Sequence, residues 1–248
     1  MDSSLSASEL RTLENQRRVG RLFAPLWVPL CVAIMRWGFR WRVEEIEAAR
    51  RTYAGLRASR GPLLICANHL TMLDSAVIGW ALGSPWWYLR NYASLPWNTP
   101  ERENFAATPW HRAAVYLLKC VPIVRGGDRR AVGQTLERLS HLIRIGEAVL
   151  VFPEGGRSRT GRVDTDAVTY GIGRLLKANP GCRVLCVYLR GAHQETWTQA
   201  PARGETFRIQ LECFEPKTDK KGLRGTLELN AQILGRLAAM ERVHFDGR

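Results

Sequence analysis

Residues 63–74 read LLICANHLTMLD, an unbroken apolar run that changes abruptly into a polar turn. The run over residues 63–67 is apolar on both faces, which is typical of a strand covered by helices on either side. Similar runs follow at residues 121–124, 148–152 and 184–189, separated by stretches of helical period. The sequence therefore predicts an α/β fold with a mostly parallel sheet covered by helices.

Three further elements are predicted around this sheet. Apolar residues recur at helical spacing between Val132 and Ile143, so residues 121–152 are expected to form a βαβ unit. Residues 207–213 alternate between apolar and polar, which predicts a strand at the sheet edge with one solvated face. Leucines at helical spacing over residues 223–237 predict a closing amphipathic helix.

Composition and charge limit the class of partner. The 248 residues are 46% hydrophobic and 24% charged, which excludes a disordered or low-complexity chain. The chain has 36 Lys and Arg and only 23 Asp and Glu, so its net charge is +13. This charge favours an anionic partner: a membrane surface, a phosphorylated substrate or a nucleic acid. No recognition motif accompanies the charge, so no nucleic-acid partner is expected, although the charge alone leaves that class open. The six cysteines show no zinc-ligand spacing, and we predict no metal site and a reducing compartment.

The N-terminal segment indicates a membrane anchor. Residues 22–35 carry no charge, and RWGFRWR follows at residues 36–42. Fourteen residues are too short to span a bilayer, and Pro25 and Pro29 are expected to interrupt the helix. Because Trp and Arg favour the headgroup level, we predict a tail and monotopic anchor over residues 1–45, on the cytoplasmic face, and a separate domain over residues 46–248. A buried core helix is the alternative for this segment.

Polar residues follow three of the predicted strands, at residues 68–74, at Arg125 and at residues 154–159. The carboxyl ends of parallel strands meet at one edge of a sheet, so these groups are expected to share a crevice. His69 and Asp74 are five residues apart, about 140° around a helix, so they cannot share a helical face. We therefore expect His69 in the turn, Thr71 as the N-cap and Asp74 in the first helical turn, where the imidazole could reach back to it. The alternative is an ordinary capping aspartate beside an incidental histidine.

Four blocks within residues 60–191 resemble the glycerolipid acyltransferases, the family that includes 1-acylglycerol-3-phosphate acyltransferase. They are Asn68-His69 with Asp74, residues 121–125, residues 152–158 and residues 184–189. The resemblance implies that His69 is the general base for an acceptor hydroxyl that attacks an acyl thioester, and that Asp74 orients the imidazole. The donor would be acyl-CoA or an acyl carrier protein, with no further cofactor.

The same resemblance implies the groups that bind the acceptor. Arg125 and Arg157 would hold the phosphate of a lysophospholipid, most simply 1-acylglycerol-3-phosphate. Glu154 and the backbone of Gly155 would position its polyol.

The sequence also departs from the family pattern. Gly156 stands where Thr is usual, Thr71 where Ser is common and Cys186 where Pro is common, and residues 168–171 lack the usual Phe and Lys. Since His69 and Asp74 are unaltered, we expect the chemistry to persist and the acceptor to differ. Another lyso-lipid, a lipid-linked specialised metabolite, or a role as a non-catalytic lipid-binding relative therefore remain open.

Overall fold

The computed structural model describes residues 5–59, 61–101, 108–123, 129–167 and 169–246. Its strands are β1 (Arg42–Val43), β2 (Leu63–Ala67), β3 (Val149–Val151), β4 (Arg183–Gly191) and β5 (Thr206–Phe214). Its helices are α1 (Ala7–Ala33), α2 (Ile46–Ala58), α3 (Asp74–Leu82), α4 (Pro85–Arg90), α5 (Pro109–Leu117), α6 (Arg129–Arg144), α7 (Gly171–Ala178) and α8 (Gly222–Asp246). A π-helical turn, Ile34–Gly38, extends α1.

The strands form one sheet in the order β1-β5-β4-β2-β3. The central strand β2 pairs in parallel with β3 on one side and with β4 on the other. The β4–β5 pair is antiparallel, and β1 is parallel to β5. The predicted α/β fold with a mostly parallel sheet is confirmed.

Alternating side chains of the buried strands supply two separate cores. Leu64 and Cys66 of β2 face a cluster that includes residues of α6, α7 and α8. Leu63 and Ile65 face the opposite cluster, with residues of α2, α3 and α4. Because both faces of β2 are covered, every residue of this strand is apolar, which is why the run was recognisable.

Two details of the predicted sheet are wrong. In the described part of this run, Cys120 and Ile123 form only isolated parallel bridges, with Asn98 and with Glu101, so the expected βαβ unit has its helix but no described first strand. Pro122 between them has no N–H for a ladder. The outermost strand is β1, not β5, because Arg42 and Val43 pair with the start of β5. A two-residue strand has no alternation from which to predict it.

The N-terminal helix also differs from the prediction. Pro25 and Pro29 lie inside one continuous helix and do not interrupt it. One face, which includes Ala24 and Val28, packs into the core on the α2 side of the sheet. The opposite face exposes a row of apolar side chains, Leu22, Leu26, Leu30, Ile34 and Trp37.

By length and composition the segment Ala7–Gly38 could cross a membrane, and 22% of its most apolar window is buried. This mostly exposed apolar helix is a weak indication of membrane association.

Candidate active site

The turn after β2 is fixed by a buried asparagine. Asn68 donates from Nδ2 to the carbonyl of Leu189 at 2.9 Å and accepts at Oδ1 from the Leu189 N–H at 2.8 Å. Its side chain thus imitates one more pair of the β2–β4 ladder, although the backbone is already turning. The next residue, His69, is therefore held at the carboxyl end of the sheet.

The Asp74 carboxylate accepts several hydrogen bonds from this turn. Its Oδ2 accepts hydrogen bonds from the backbone N–H groups of Leu70 (2.6 Å) and Thr71 (2.8 Å), and its Oδ1 accepts from Thr71 Oγ1 (2.6 Å). The first helical turn contains Asp74 as predicted, but the N-cap position is Leu73, not Thr71. Thr71 misses the N-cap because its hydroxyl bonds the carboxylate and the Leu73 N–H instead. These contacts fix the carboxylate before any substrate arrives.

His69 reaches back to this carboxylate, as predicted from the spacing. Its Nδ1 lies 3.0 Å from Asp74 Oδ2, and the ring stacks on Phe152 with 4.0 Å between centroids. An Nδ1–H that donates to a carboxylate leaves Nε2 as the proton acceptor. No described residue hydrogen-bonds Nε2, so this nitrogen is available to a ligand.

The loop after β3 is bound to the backbone of His69 on both sides. Glu154 Oε1 accepts from the His69 N–H at 3.3 Å, and the Ser158 N–H donates to the His69 carbonyl at 2.9 Å. The other oxygen of Glu154 accepts from the Asp164 N–H at 3.1 Å. Burial raises the pKa of Glu154 to about 7, although the two N–H donors oppose this shift.

Gly155 allows this loop its sharp turn. Its φ is +70°, a conformation that L side chains rarely adopt, and a Cβ atom there would lie 3.0 Å from Thr169 Cγ2. A larger residue would therefore strain the backbone and press on Thr169.

Arg157, from the same loop, contacts two residues of the segment between β4 and β5. Its Nη1 donates to Gln199 Oε1 at 3.1 Å, and its guanidinium lies 4.9 Å from the ring centroid of Trp197. No sequence pattern indicated Trp197 or Gln199, which are about forty positions further along the chain. Phe152, also missed as a functional residue, lay within a block that the family resemblance had already marked.

A cavity of about 440 Å³ opens beside the imidazole. His69 and Arg157 are among its polar lining residues, whereas Glu154 and Gly155 do not line it. The other polar lining residues are Ser75, Asn98, Thr99, Glu101 and His111. The rest is mostly apolar and is supplied by α1, α3, α5, residues 95–101 and β3, with Trp27, Val28, Cys31, Met35, Leu73, Trp80, Val115 and Leu150 among the lining side chains. Its size and lining suit a long apolar group whose reactive end lies at His69.

Arg125 lies outside the described residues. Within the described part of the chain, no group of three or more His, Cys, Asp or Glu side chains is placed to hold a metal ion.

Comparison with known proteins agrees with this geometry. The sequence model described as Acyltransferase matches residues 40–190. The chain belongs to the Acyltransferase family. The resemblance to the glycerolipid acyltransferases is thereby confirmed, and the matched region of this acyltransferase runs from just before β1 to the end of β4, including His69, Asp74 and the loop of Arg157. No curated protein gives a significant match.

Proposed function

We propose that this acyltransferase moves a fatty acyl chain from acyl-CoA or an acyl carrier protein to the hydroxyl of a lysophospholipid, most simply 1-acylglycerol-3-phosphate. The observation that carries the proposal is the His69–Asp74 pair at the head of an apolar cavity, in a chain of this family. The imidazole supplies a base, and the cavity has room for an acyl chain.

In the proposed mechanism the substrate provides the nucleophile. Nε2 of His69 takes the proton of the acceptor hydroxyl as its oxygen attacks the thioester carbonyl. The new ester C–O bond forms, the C–S bond breaks, and the imidazolium returns the proton to the departing thiolate. Asp74 holds the imidazole in the required tautomer and stabilises its charged form, as in the triads of serine hydrolases.

The loop after β3 is proposed to bind the acceptor headgroup. Arg157 lines the cavity beside His69, and its planar guanidinium suits two phosphate oxygens. Arg125 remains a proposed second phosphate ligand. Glu154 and Gly155 are proposed to act by shaping the loop that carries Arg157, since both Glu154 oxygens accept backbone N–H groups.

The exposed row on α1 is proposed as a monotopic membrane contact on the cytoplasmic face. Leu26 and Leu30 are 70% and 58% exposed, whereas Val28 and Cys31 of the same helix line the cavity. An acyl chain could therefore pass from the bilayer to the cavity along α1.

Flotation with liposomes of anionic phospholipid tests the membrane contact. The double variant Leu26→Ser/Leu30→Ser should lose liposome binding, because each change removes an apolar side chain from the lipid contact. Leu223→Ser, which alters an equally exposed leucine on α8, is the matched control. Equal flotation of both variants and the wild type would contradict the contact.

Mass spectrometry of the products tests the reaction. Purified protein is given acyl-CoA or acyl carrier protein with a panel of lyso-lipid acceptors, and phosphatidic acid is the expected product. His69→Ala should lower turnover by about 10²–10⁴-fold, whereas His193→Ala, at a histidine whose side chain is 82% exposed, should not. Acylation of other lyso-lipids alone would change the acceptor, and no acylation at all would leave a non-catalytic lipid-binding protein.

A further inference from the structure

The segment between β4 and β5, residues 192–205, lies beyond the region matched by the family model. We call it the β4–β5 loop. Its backbone is hydrogen-bonded to the turn that carries His69. The Thr198 N–H donates to the Leu70 carbonyl at 3.1 Å, and the Met72 N–H donates to the Gln199 carbonyl at 3.2 Å. Residues between His69 and Asp74 are thus bound to a loop that the family pattern does not cover.

A buried arginine also hydrogen-bonds the backbone of the β4–β5 loop. Arg190 is 2% exposed and donates to the carbonyls of Gln194 (2.9 Å), Glu195 (2.8 Å) and Gly161 (2.6 Å). It therefore joins the β4–β5 loop to the end of the loop that carries Arg157. With these contacts the loop has a defined position relative to both parts of the site.

Two side chains of the loop contact the guanidinium of Arg157. Trp197 presents its ring at 4.9 Å, and Gln199 accepts one N–H at 3.1 Å. Arg157 makes no other hydrogen bond with the described residues, so most of its five N–H donors remain for a ligand. An arginine held in this way has already lost much of the side-chain freedom that binding would otherwise remove.

We propose that Trp197 and Gln199 are positioning residues that hold Arg157 ready for the phosphate of the acceptor and so set its headgroup preference. The inference rests on the proposed function. The expected effect is on the affinity for a phosphate monoester and not on the rate of acyl transfer, because neither side chain lines the cavity beside His69.

Steady-state kinetics with two acceptors test this role. Trp197→Leu should raise the KM for lysophosphatidic acid by about 3–10-fold, the worth of a cation–π contact, with less than a twofold fall in kcat. Trp197→Phe retains an aromatic face and should recover most of the affinity. For a monoacylglycerol acceptor, which has no phosphate, neither variant should change KM. Trp110→Leu, at an 84% exposed tryptophan of α5, is the matched control.

A double-mutant cycle separates positioning from a general structural role. In an Arg157→Ala background, Trp197→Leu should have no further effect on KM, because there is no guanidinium left to hold. A full effect in that background, or an equal loss for both acceptors, would overturn the proposal. If Trp197→Leu lowers the melting temperature sharply, Gln199→Ala provides the same test, with an expected rise in KM of about threefold for one lost hydrogen bond.

Calorimetric binding of short-chain lysophosphatidic acid needs no turnover, so it distinguishes the two proposals. Weaker binding by Trp197→Leu in a protein that acylates no lyso-lipid would support the positioning role and reject the proposed function. Normal turnover with unchanged KM and binding would reject the positioning role alone. If the wild type neither acylates nor binds lysophosphatidic acid, both proposals fail.

Discussion

Two buried acid–base pairs lie at opposite ends of the parallel strands. The pair His69–Asp74 follows the carboxyl end of β2, while Lys119 and Glu147 meet just before the amino end of β3. Lys119 Nζ lies 2.6 Å from Glu147 Oε2, and both side chains are 1% exposed. By burial and distance alone, the second pair is the stronger candidate for a site.

The hydrogen bonds of the two pairs show why the Lys119–Glu147 pair is not a candidate site. Lys119 Nζ donates to Tyr92 O, Leu95 O and Glu147, so all three of its protons are used. Glu147 also accepts from Trp97 Nε1 at 2.8 Å and from Arg17 Nε at 2.9 Å. Burial lowers the pKa of Lys119 to about 8, but its amine has no donor left for a ligand. His69, by contrast, keeps Nε2 free of described partners beside a cavity. The difference lies in unused bonding capacity.

The largest expected effect is on stability, at the Lys119 pair. Lys119→Met leaves a buried carboxylate without its closest cation and should lower the free energy of unfolding by about 3–5 kcal/mol. Urea denaturation measures this loss, and turnover per folded molecule should stay within twofold.

The control is Lys119→Met/Glu147→Gln, which removes both charges. It should be more stable than the single variant, because no buried carboxylate is then left without the Lys119 ammonium. Equal losses of unfolding free energy in the single and the double variant would mean that the charge pairing does not stabilise this region.

The next effect is on turnover, at the other pair. Asp74→Asn places an amide where the carboxylate accepts from two backbone N–H groups and His69, so the imidazole loses its orienting partner. We expect kcat to fall by about 10²–10⁴-fold. Stopped assays of thiol release measure this fall, with Asp166→Asn, at an exposed carboxylate, as control. Unchanged kcat in a folded Asp74→Asn variant would reject the general-base pair.

The same contrast shows what the sequence could predict. The runs that became β2, β3 and residues 184–189 of β4 were recognisable because a strand covered on both faces presents a continuous apolar run. His69 and Asp74 could be paired because they lie in one turn, and the loop of Arg157 could be placed near them because parallel strands end together.

Long-range partners could not be predicted in this way. Lys119 and Glu147 are 28 positions apart, and in sequence a lysine reads as a solvated residue. Trp197 is 40 positions from Arg157, in a segment without periodic pattern. Each pairing depends on how separate elements pack, about which local patterns carry no information.

At Glu154 we expect a smaller effect on the free energy of unfolding, and this effect depends on pH. Burial raises the pKa of Glu154 from 4.5 to about 7, so the folded state binds this proton more tightly than the unfolded state does. Its contribution to stability is complete below about pH 4.5 and is lost as the pH rises through 7.

Relative to Glu154→Gln, the wild type should therefore lose about 1–3 kcal/mol of unfolding free energy between pH 4.5 and pH 7.5. Urea denaturation across this range measures the difference, and Glu195→Gln, at an exposed carboxylate, controls for the change of charge. Parallel pH profiles for the wild type and Glu154→Gln would contradict the raised pKa.

The smallest effect is expected at Thr71, which tests how much support the Asp74 carboxylate needs. Thr71 is fully buried, and Thr71→Val keeps its shape while removing the hydroxyl that donates to Asp74 Oδ1 at 2.6 Å. Oδ2 keeps its two backbone donors, so the loss should be about 1–2 kcal/mol of stability and about 3–10-fold in kcat. Thr71→Ser retains the hydroxyl and should stay within twofold of the wild type. If Thr71→Val and Thr71→Ser behave alike in both measurements, the backbone donors alone position Asp74, and the hydroxyl contributes nothing measurable to stability or to kcat.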